Sequence, residues 1–351
     1  MAEPDPTGTV PRAVPKPTSD ARSAEPPSTA RAPWFGRAAL LGVLSVLAAT
    51  LLAFTARWFW PGELMVSLAW QLGFASFAVA CACLVTARPR LALLACLAGG
   101  VHTWPEARLY LPQDRPPLAA NEVELRLATC NLLWGNADHA SFPVWLAEHA
   151  PDVVVLQEIS LERRSTLEAL PGYPHVFFSP PVERWNAKTW GTAILSRLPF
   201  ESTREIPTAV GRPPIEAVIR VGSRSVTVRG THPSRPGRGW RIEQRNEVLG
   251  ALADAAWNGP CVLAGDLNVT STSPVFHDLV ERAGLRDSRA GFGRQPSFVL
   301  KRLASLAIDH VLLGGGVRCL ERRTTPLAGS DHRAVLVRLA VPLADSGDDP
   351  P

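Results

Sequence analysis

The sequence predicts a layered α/β domain carried behind a membrane anchor, on three observations. Short apolar or alternating stretches recur from residue 122 to residue 340 with helical stretches between them, as in α/β layers. Two uncharged apolar runs ahead of them are each long enough to cross a bilayer. Ahead of those lies a polar, proline-rich segment that cannot bury enough surface to offset chain entropy.

That first segment, residues 1–36, reads as a disordered cytoplasmic tail. It lacks the order of a cleavable leader, because the first apolar run begins only at Ala38. A chain of 351 residues with 46% hydrophobic content and 33 prolines has room for one good-sized domain and something besides.

The anchor is expected over residues 37–111. Ala38 to Ala56 gives 19 residues without a charge, and Leu64 to Ala87 gives 24 more. A third run, Leu91 to Trp104, has 14 residues, about 21 Å of helix against a hydrocarbon layer of ~30 Å. It spans only if it extends to Leu111, with Glu106 and Arg108 reaching into the interface. Arg31 and Arg37 precede the first run and Arg88 and Arg90 fill the second loop, so the tail and that loop are expected inside the cell. Trp58, Trp60, Trp70 and Trp104 sit near the ends of the runs, where indole rings favour the headgroup layer. The expectation is a multi-pass protein of the cell membrane with three helices. With the third run extended to Leu111 and crossing, the domain beyond it is expected to be extracytoplasmic.

Residues 112–121 form a proline-rich linker, and a catalytic domain is expected over 122–340, followed by a disordered tail, 341–351. Strand candidates are VELRLATCN, DVVVLQE, HVFFS, GTAILS, IEAVIRV, SVTVRGTH, CVLAGDLN, AIDHVLL and AVLVRLAV. Helices are expected over Phe142–His149, Leu161–Ala169, Arg241–Trp257 and Pro274–Ala283, with Ser141 and Ser273 as N-caps and Pro274 as a first helical residue. The six cysteines form no CxxC pair and no zinc spacing, so they read as reduced thiols packed as small hydrophobes. Arg229, Arg235, Arg238, Arg241 and Arg245 crowd one stretch around a single glutamate, a pattern suited to an anionic partner or to a solvated loop.

The strands end on polar residues. Asn131 closes the first, Gln157 and Glu158 the second, and His232 the strand before the arginine-rich stretch. Asp266 and Asn268 follow CVLAG, Asp309 interrupts an apolar strand, and Asp331 with His332 opens the last one. Residues at i and i+2 of an extended chain share a face, so Asp266 and Asn268 point together. Taken singly, Asn131 reads equally as a turn residue, Glu158 as a helix cap, Asp266-x-Asn268 as an Asx turn and His232 as a loop histidine. Asp309 fits no bland reading, since an unpaired buried carboxylate is costly. His310 faces the other way and reads as structural. Carboxylates, amides and imidazoles gathered at strand ends are what a divalent metal and a phosphoryl centre need.

In order, TCN, LQE, GTAILS, GTHP, AGDLN, IDHVLL and SDHRAVLV resemble the endonuclease/exonuclease/phosphatase superfamily, which includes deoxyribonuclease-like nucleases, inositol-phosphate phosphatases and bacterial sphingomyelinases. The likeness runs over residues 124–339, and the apolar preamble resembles a membrane-bound bacterial branch that includes teicoplanin-resistance membrane proteins. The resemblance implies a four-layer sandwich of two mixed β-sheets with helices outside. It implies Glu158 as the main carboxylate ligand of Mg²⁺ or Mn²⁺, assisted by Asn131 and Asp331. Asp266 would orient or deprotonate the attacking water, Asn268 would bond phosphoryl oxygens, Asp309 would hold His332, and His232 would act as a second imidazole at the phosphate. Arg235, Arg238 and Arg241 are the expected substrate-binding arginines.

The expected function is a membrane-anchored, metal-dependent phosphoesterase acting on a lipid-linked phosphate or pyrophosphate, with the bilayer as a partner. An anchored extracellular nuclease ranks second. The domain of about 220 residues leaves little room for DNA-gripping insertions, and both tyrosines, Tyr110 and Tyr173, lie before Pro174, whereas the family's nucleases usually carry one at the centre. A non-catalytic binder of phosphorylated lipid ranks third, because it has no need of a water-orienting aspartate. Nothing in the sequence fixes an oligomeric state.

Overall fold

The computed structural model describes residues 33–180, 189–237, 239–300 and 304–343, so most of the two expected tails lies outside the described residues. The apolar segment forms α1 (Pro33–Ala53), α2 (Trp60–Ser67), α3 (Ala69–Val85) and α4 (Pro89–Ala107). Among the described residues one helix, Trp34–Ala53, is long and apolar enough to cross a membrane. The helices α2 and α3 pass that test only as a pair, bent by 71° at the break between them.

Two expectations are therefore corrected. The run from Leu64 to Ala87 is not one straight helix, because the chain bends by 71° and α2 turns aside to lie on the domain that follows. The third run does form a helix, α4, but α4 does not by itself meet the length and apolarity of a span. Nor does Glu106 reach into a headgroup layer. It is buried, accepts from Ser271 Oγ at 2.9 Å and pairs with Arg294 at 2.9 Å and Arg289 at 3.6 Å. Glu63, at the start of α2, is likewise buried against Arg245 at 2.8 Å. Glu106, expected at the interface, and Glu63 both fasten the helices to the domain.

The helices pack through small side chains, Ala39, Val43, Ala80, Cys83, Ala92 and Ala95. A Cβ on Gly73 would stand 2.2 Å from the Thr103 methyl, so glycine there sets the close approach of α3 and α4. Leu41, Leu44, Leu51, Leu93, Leu97 and Val101 face outward and exposed, an arrangement suited to lipid. The cysteines are all free.

Beyond a linker tied down by Arg318, which bonds Pro116 O and Pro117 O, come two sheets. The strands are β1 (Glu122–Asn131), β2 (Val153–Ser160), β3 (His175–Phe178), β4 (Thr189–Ser196), β5 (Phe200–Glu205), β6 (Ile215–Val221), β7 (Arg224–Gly230), β8 (Cys261–Asp266), β9 (Arg286–Asp287), β10 (Phe298–Leu300), β11 (Ala304–Leu306), β12 (Asp309–Gly314), β13 (Arg318–Pro326) and β14 (Arg333–Pro342). One six-stranded sheet runs β13-β14-β1-β2-β4-β3 and the other β5-β6-β7-β8-β12-β9, while β10 and β11 form a separate pair. Each large sheet holds one parallel pair, β1 with β2 and β7 with β8, so both are mixed.

Four further helices cover the sheets: α5 (Ser141–His149), α6 (Arg164–Glu168), α7 (Trp240–Asp254) and α8 (Pro274–Arg282). Leu127, Val155, Ile194, Val228, Val262 and Val337 fill the space between the sheets. Phe142, Trp145 and Leu167 of α5 and α6 pack on the first sheet, and Val248, Leu252 and Phe276 of α7 and α8 on the second. Two mixed sheets flanked by helices are what was expected.

Details differ where the chain is exposed. Ser273 does cap α8, accepting from Val275 N at 3.3 Å, but Ser141 is the first residue of α5 and caps nothing. Asp138 takes that role, accepting from the amides of Ala140 and Ser141. The strands β5 and β13 escaped the pattern because they are sheet edges and carry charge where buried strands carry apolar side chains.

The outward-facing His310 does prove structural, its Nε2 donating to Val269 O at 2.8 Å from a buried site. Burial, then the Arg289 charge, lowers its pKa to about 3. An unfolded histidine binds its proton near pH 6.5, so between these values the unfolded chain holds a proton the folded one lacks. Stability is therefore expected to fall as pH drops from about 6.5 toward 3, by up to ~1.4 kcal/mol per unit. Urea unfolding across that window should show a shallower loss in His310→Gln than in the native chain. Equal slopes would remove His310 as a cause.

Candidate active site

Topology brings the strand ends together. In the antiparallel pairing of β8 with β12, Asp266 stands opposite Asp309. The parallel neighbours β1 and β2 place Asn131 beside Gln157 at the same edge of the other sheet. Gly265 lets the polar ends of the neighbouring strands β7 and β8 converge: its φ is +150°, and a Cβ there would fall 2.1 Å from Thr231 O, the residue before His232.

Glu158 reaches the site through a register shift. The pairing of β2 with β4 slips between Gln157 and Ile159, and Glu158 takes φ +53°, left-handed backbone uncommon outside glycine. Gln157 then stays in the core against Thr129, while Glu158 turns into the cleft. Leu133 and Asn268 also adopt positive φ, at 54° and 51°. Three such residues around one cleft mark a place where backbone strain is held by its surroundings.

The side chains form one network. Asn131 Nδ2 donates at 3.1 Å to both Glu158 Oε1 and Asp266 Oδ2, and its Oδ1 accepts from Leu133 N at 3.0 Å. Asp266 Oδ1 accepts from Asn268 N at 2.9 Å. The His232 Nε2 lies 3.5 Å from Asp266 Oδ2 and 3.8 Å from Glu158 Oε1. His332 Nδ1 is 2.8 Å from Asp309 Oδ2, and its Nε2 is 3.7 Å from Asp266 Oδ2. Ser330 of the SDH motif joins the ends of the neighbouring strands β1 and β14, its Oγ donating to Asn131 O and accepting from His332 N. Asn268 Nδ2 donates to Pro233 O at 3.0 Å, which leaves its second amide hydrogen for a ligand.

Electrostatics follow from this crowding. Burial alone would neutralise Asp266, but the charges of His332 and His232 and the Asn268 amide hold its pKa at about 2. Burial likewise opposes a charge on His332, yet Asp309 and then Asp266 raise it to about 10. For His232 burial is again outweighed by Asp266 and Glu158, and the pKa rises. The result is an ionised aspartate between two imidazoles that favour their charged forms.

A cation fits this donor set. Carboxylate oxygens of Glu158 and Asp266 and a nitrogen of His232 lie within 4.8 Å of one another, as do those of Asp266, Asp309 and His332. Glu158 is the carboxylate turned to the cleft. Asp331 lines the same cleft but belongs to neither cluster, and Asn131 presents its amide hydrogens, not its oxygen, to the carboxylates. Of the ligand set expected from the sequence, Glu158 sits in a cluster able to hold a cation, while Asn131 is turned toward it as a donor and Asp331 lines the cleft outside both clusters. The cleft measures about 620 Å³.

The chain matches the model described as "Endonuclease/Exonuclease/phosphatase family" over residues 128–332. It belongs to that family. Similar solved structures include an endonuclease/exonuclease/phosphatase from Beutenbergia cavernae DSM 12333, at 23% identity over 63% of this chain and 72% of that one, with TM-score 0.52. Another, from Bacteroides vulgatus, is 16% identical over 62% and 99% of the two chains, TM-score 0.52. Truncated Caenorhabditis elegans TDP2 is 19% identical over 62% and 97%, TM-score 0.50. At these identities the likeness is one of fold. No curated protein sequence matches the chain.

The AGDLN, IDH and SDH segments supply Asp266, Asn268, Ile308, Asp331 and His332 to the cleft, and the arginine-rich stretch supplies fewer arginines than expected. Arg235 lines it. Arg241 does not: it lies exposed in the first turn of α7, 5.8 Å from the Trp240 ring. Arg238 lies outside the described residues. Arg229 and Arg245 are buried, the first paired with Glu216 at 2.7 Å, the second with Glu63, so neither faces an anionic partner. Sequence reading missed Arg212 and Ser67, which both line the cleft, and Phe298, whose ring stands 4.9 Å from His332. Arg212 sits in a GRPP loop with no period to flag it, and Ser67 in an apolar segment that reads as membrane.

Proposed function

We propose that the chain is a membrane-anchored, metal-dependent phosphoesterase that hydrolyses a phosphate ester or pyrophosphate of a lipid-linked substrate. One observation carries the lipid half of this reading: Ser67, at the bend between α2 and α3, lines the same cleft as Glu158, Asp266 and His332. Phe298, Leu306 and Ile308 make an apolar wall beside it. A polar centre backed by an apolar wall and bordered by membrane-type helices suits a phosphate carried on a hydrocarbon chain.

The chemistry is in-line attack by water. Glu158, with Asp266 close by, would hold the cation; bound there, Mg²⁺ or Mn²⁺ neutralises charge on the phosphoryl oxygens. Asp266, ionised at neutral pH, is the acceptor that orients the water. His332, held by Asp309, presents Nε2 as a donor, and Asn268 and His232 add donors for phosphoryl oxygens.

The layout of the helices supports an extracytoplasmic domain. Arg88 donates to Gly36 O at 2.8 Å, so the start of α1 and the turn before α4 share one end, with Arg37 and Arg90 nearby in sequence. Glu63 and Glu106 lie at the end that meets the domain. Positive charge gathers at the end away from it, which the positive-inside rule assigns to the cytoplasm. Alkaline phosphatase fused after Ala120 in a bacterial host is expected to be active; an inactive fusion paired with a fluorescent green fluorescent protein fusion at that point would reverse the topology.

The functional test is a panel: purified full-length protein with Mg²⁺, Mn²⁺ or EDTA against a lipid pyrophosphate in micelles, a phospholipid, an inositol phosphate and plasmid DNA. Metal-dependent phosphate release from the micellar pyrophosphate is expected. Efficient cleavage of DNA with little release from lipid would favour the nuclease reading.

A further inference from the structure

The segment that carries Asn268 is gripped by the apolar helices. Glu63 of α2 pairs with Arg245 at 2.8 Å, both side chains wholly buried, and the same Arg245 Nη1 reaches Asn268 O at 3.4 Å. The other Glu63 oxygen accepts from Ser273 Oγ at 3.1 Å. Between these points Thr272 Oγ1 donates to Val66 O at 2.5 Å, and Ser271 Oγ donates to Glu106 of α4 at 2.9 Å. Residues 271–273 are thus held directly by α2 and α4, and Asn268 indirectly through Arg245 of α7, two residues beyond the buried Asp266.

A buried carboxylate is costly unless it is paired, and Glu63 has no part in the helical packing of its own segment. Its partners are all on the catalytic domain. Asn268 needs such support, because its left-handed backbone persists only where neighbours over-determine it. Its amide N–H also fixes the Asp266 carboxylate, so a shift of this loop moves both residues.

We infer that Glu63 is a positioning residue of the phosphoesterase site, acting through Arg245 on Asn268, so that the helical anchor is a working part of the active site as well as a tether. This rests on the proposed reaction for its catalytic consequence but not for the bracing itself. An error of about 1 Å in positioning costs about a hundredfold in rate. The expected signature is a fall in kcat with KM little changed, since the cleft's other contacts to substrate remain.

The test uses the full-length protein in detergent micelles. Glu63→Gln strands the Arg245 charge and can unfold the chain, so it is paired with Glu63→Met/Arg245→Met, which replaces a buried ion pair by packed apolar side chains, a change often neutral for stability. Hydrogen exchange of amides 268–273 reads the bracing, and hydrolysis of bis-p-nitrophenyl phosphate with Mn²⁺ reads the consequence. In the double variant, faster exchange confined to 268–273 and a tenfold to hundredfold loss of kcat, with KM within about twofold and an unchanged unfolding midpoint, is the expected result. Arg57→Ala, which removes only an exposed contact to Asp278, is the control and should retain full rate. Native-like exchange in the double variant, or a kcat within twofold of the native chain, overturns the inference. A native chain inactive on every phosphate substrate instead removes the proposed function, and the exchange experiment still decides whether Glu63 braces the loop.

Discussion

Glu158→Gln is expected to lower metal-dependent hydrolysis by about a thousandfold or more while leaving the fold intact. A bound divalent cation supplies several kcal/mol of charge stabilisation, and each ~1.4 kcal/mol lost is tenfold in rate. Glu158 is turned into the cleft, half-buried, with Asn131 Nδ2 donating at 3.1 Å and Trp134 N at 3.3 Å to its oxygens and His232 Nε2 3.8 Å away. Glutamine keeps the volume and one acceptor oxygen, but its amide hydrogens would face one of those two donors. It also removes the charge that makes the site selective for a hard cation. Stability should hold or rise slightly, because the residue sits in strained backbone beside another carboxylate and contributes little packing. Calorimetric titration of Mn²⁺ into native and variant protein, alongside the rates, separates lost metal from lost folding. Full activity in EDTA, or in the variant, would remove the metal from the mechanism.

That Glu158 could be chosen from the sequence reflects a general physical economy of this fold. Buried strands read as apolar runs, so a carboxylate, amide or imidazole at the end of such a run is conspicuous, and Asn131, Glu158, His232, Asp266, Asp309 and His332 were all found in that way. They prove to share one network because β-sheet register, invisible in local pattern, sets Asp266 opposite Asp309 and brings β1 beside β2. The bulge that aims Glu158 was not legible, since nothing in LQE distinguishes a residue in left-handed backbone from its neighbours.

The errors have a common cause as well. Glu63 and Glu106 are single charges at the edges of apolar runs, and local reading sends such charges to water or headgroups. Their partners Arg245, Arg289 and Arg294 lie more than a hundred residues away, and only folding reveals that each charge is neutralised in a buried pair. The bend at Leu68 has no proline or glycine at it, and it follows from the docking of α2, so a run of apolar residues was read as one straight helix. Arg229 and Arg245 were read as a basic surface for a complementary reason: Arg245 meets Glu63 from 182 residues away, and Arg229 meets Glu216 only through the register of the β6–β7 pairing.

Asp309→Asn should cost on the order of 10³–10⁴ in kcat, comparable to the loss when a catalytic imidazole loses the carboxylate that orients it. The Asp309 carboxylate is buried, and its Oδ2 lies 2.8 Å from His332 Nδ1, while Oδ1 has no hydrogen-bond partner among the described residues. One charge is thus spent on one imidazole. Asparagine fits the same space, but it either accepts weakly from Nδ1–H or turns its amide toward Nδ1 and reverses the tautomer, leaving Nε2 with the proton in one case and the wrong charge in both. KM should change little, because Asp309 touches no part of the cleft surface. Stability should not collapse, since His332 can release its proton and a neutral amide is cheaper to bury than a carboxylate. The decisive comparison is a cycle with His332→Ala. If Asp309 acts through His332, the double variant will be no slower than His332→Ala alone, the non-additivity expected of residues that work as a unit. Independent, multiplying losses would show that Asp309 serves some other group, and a kcat for Asp309→Asn within tenfold of native would remove His332 as the site's donor.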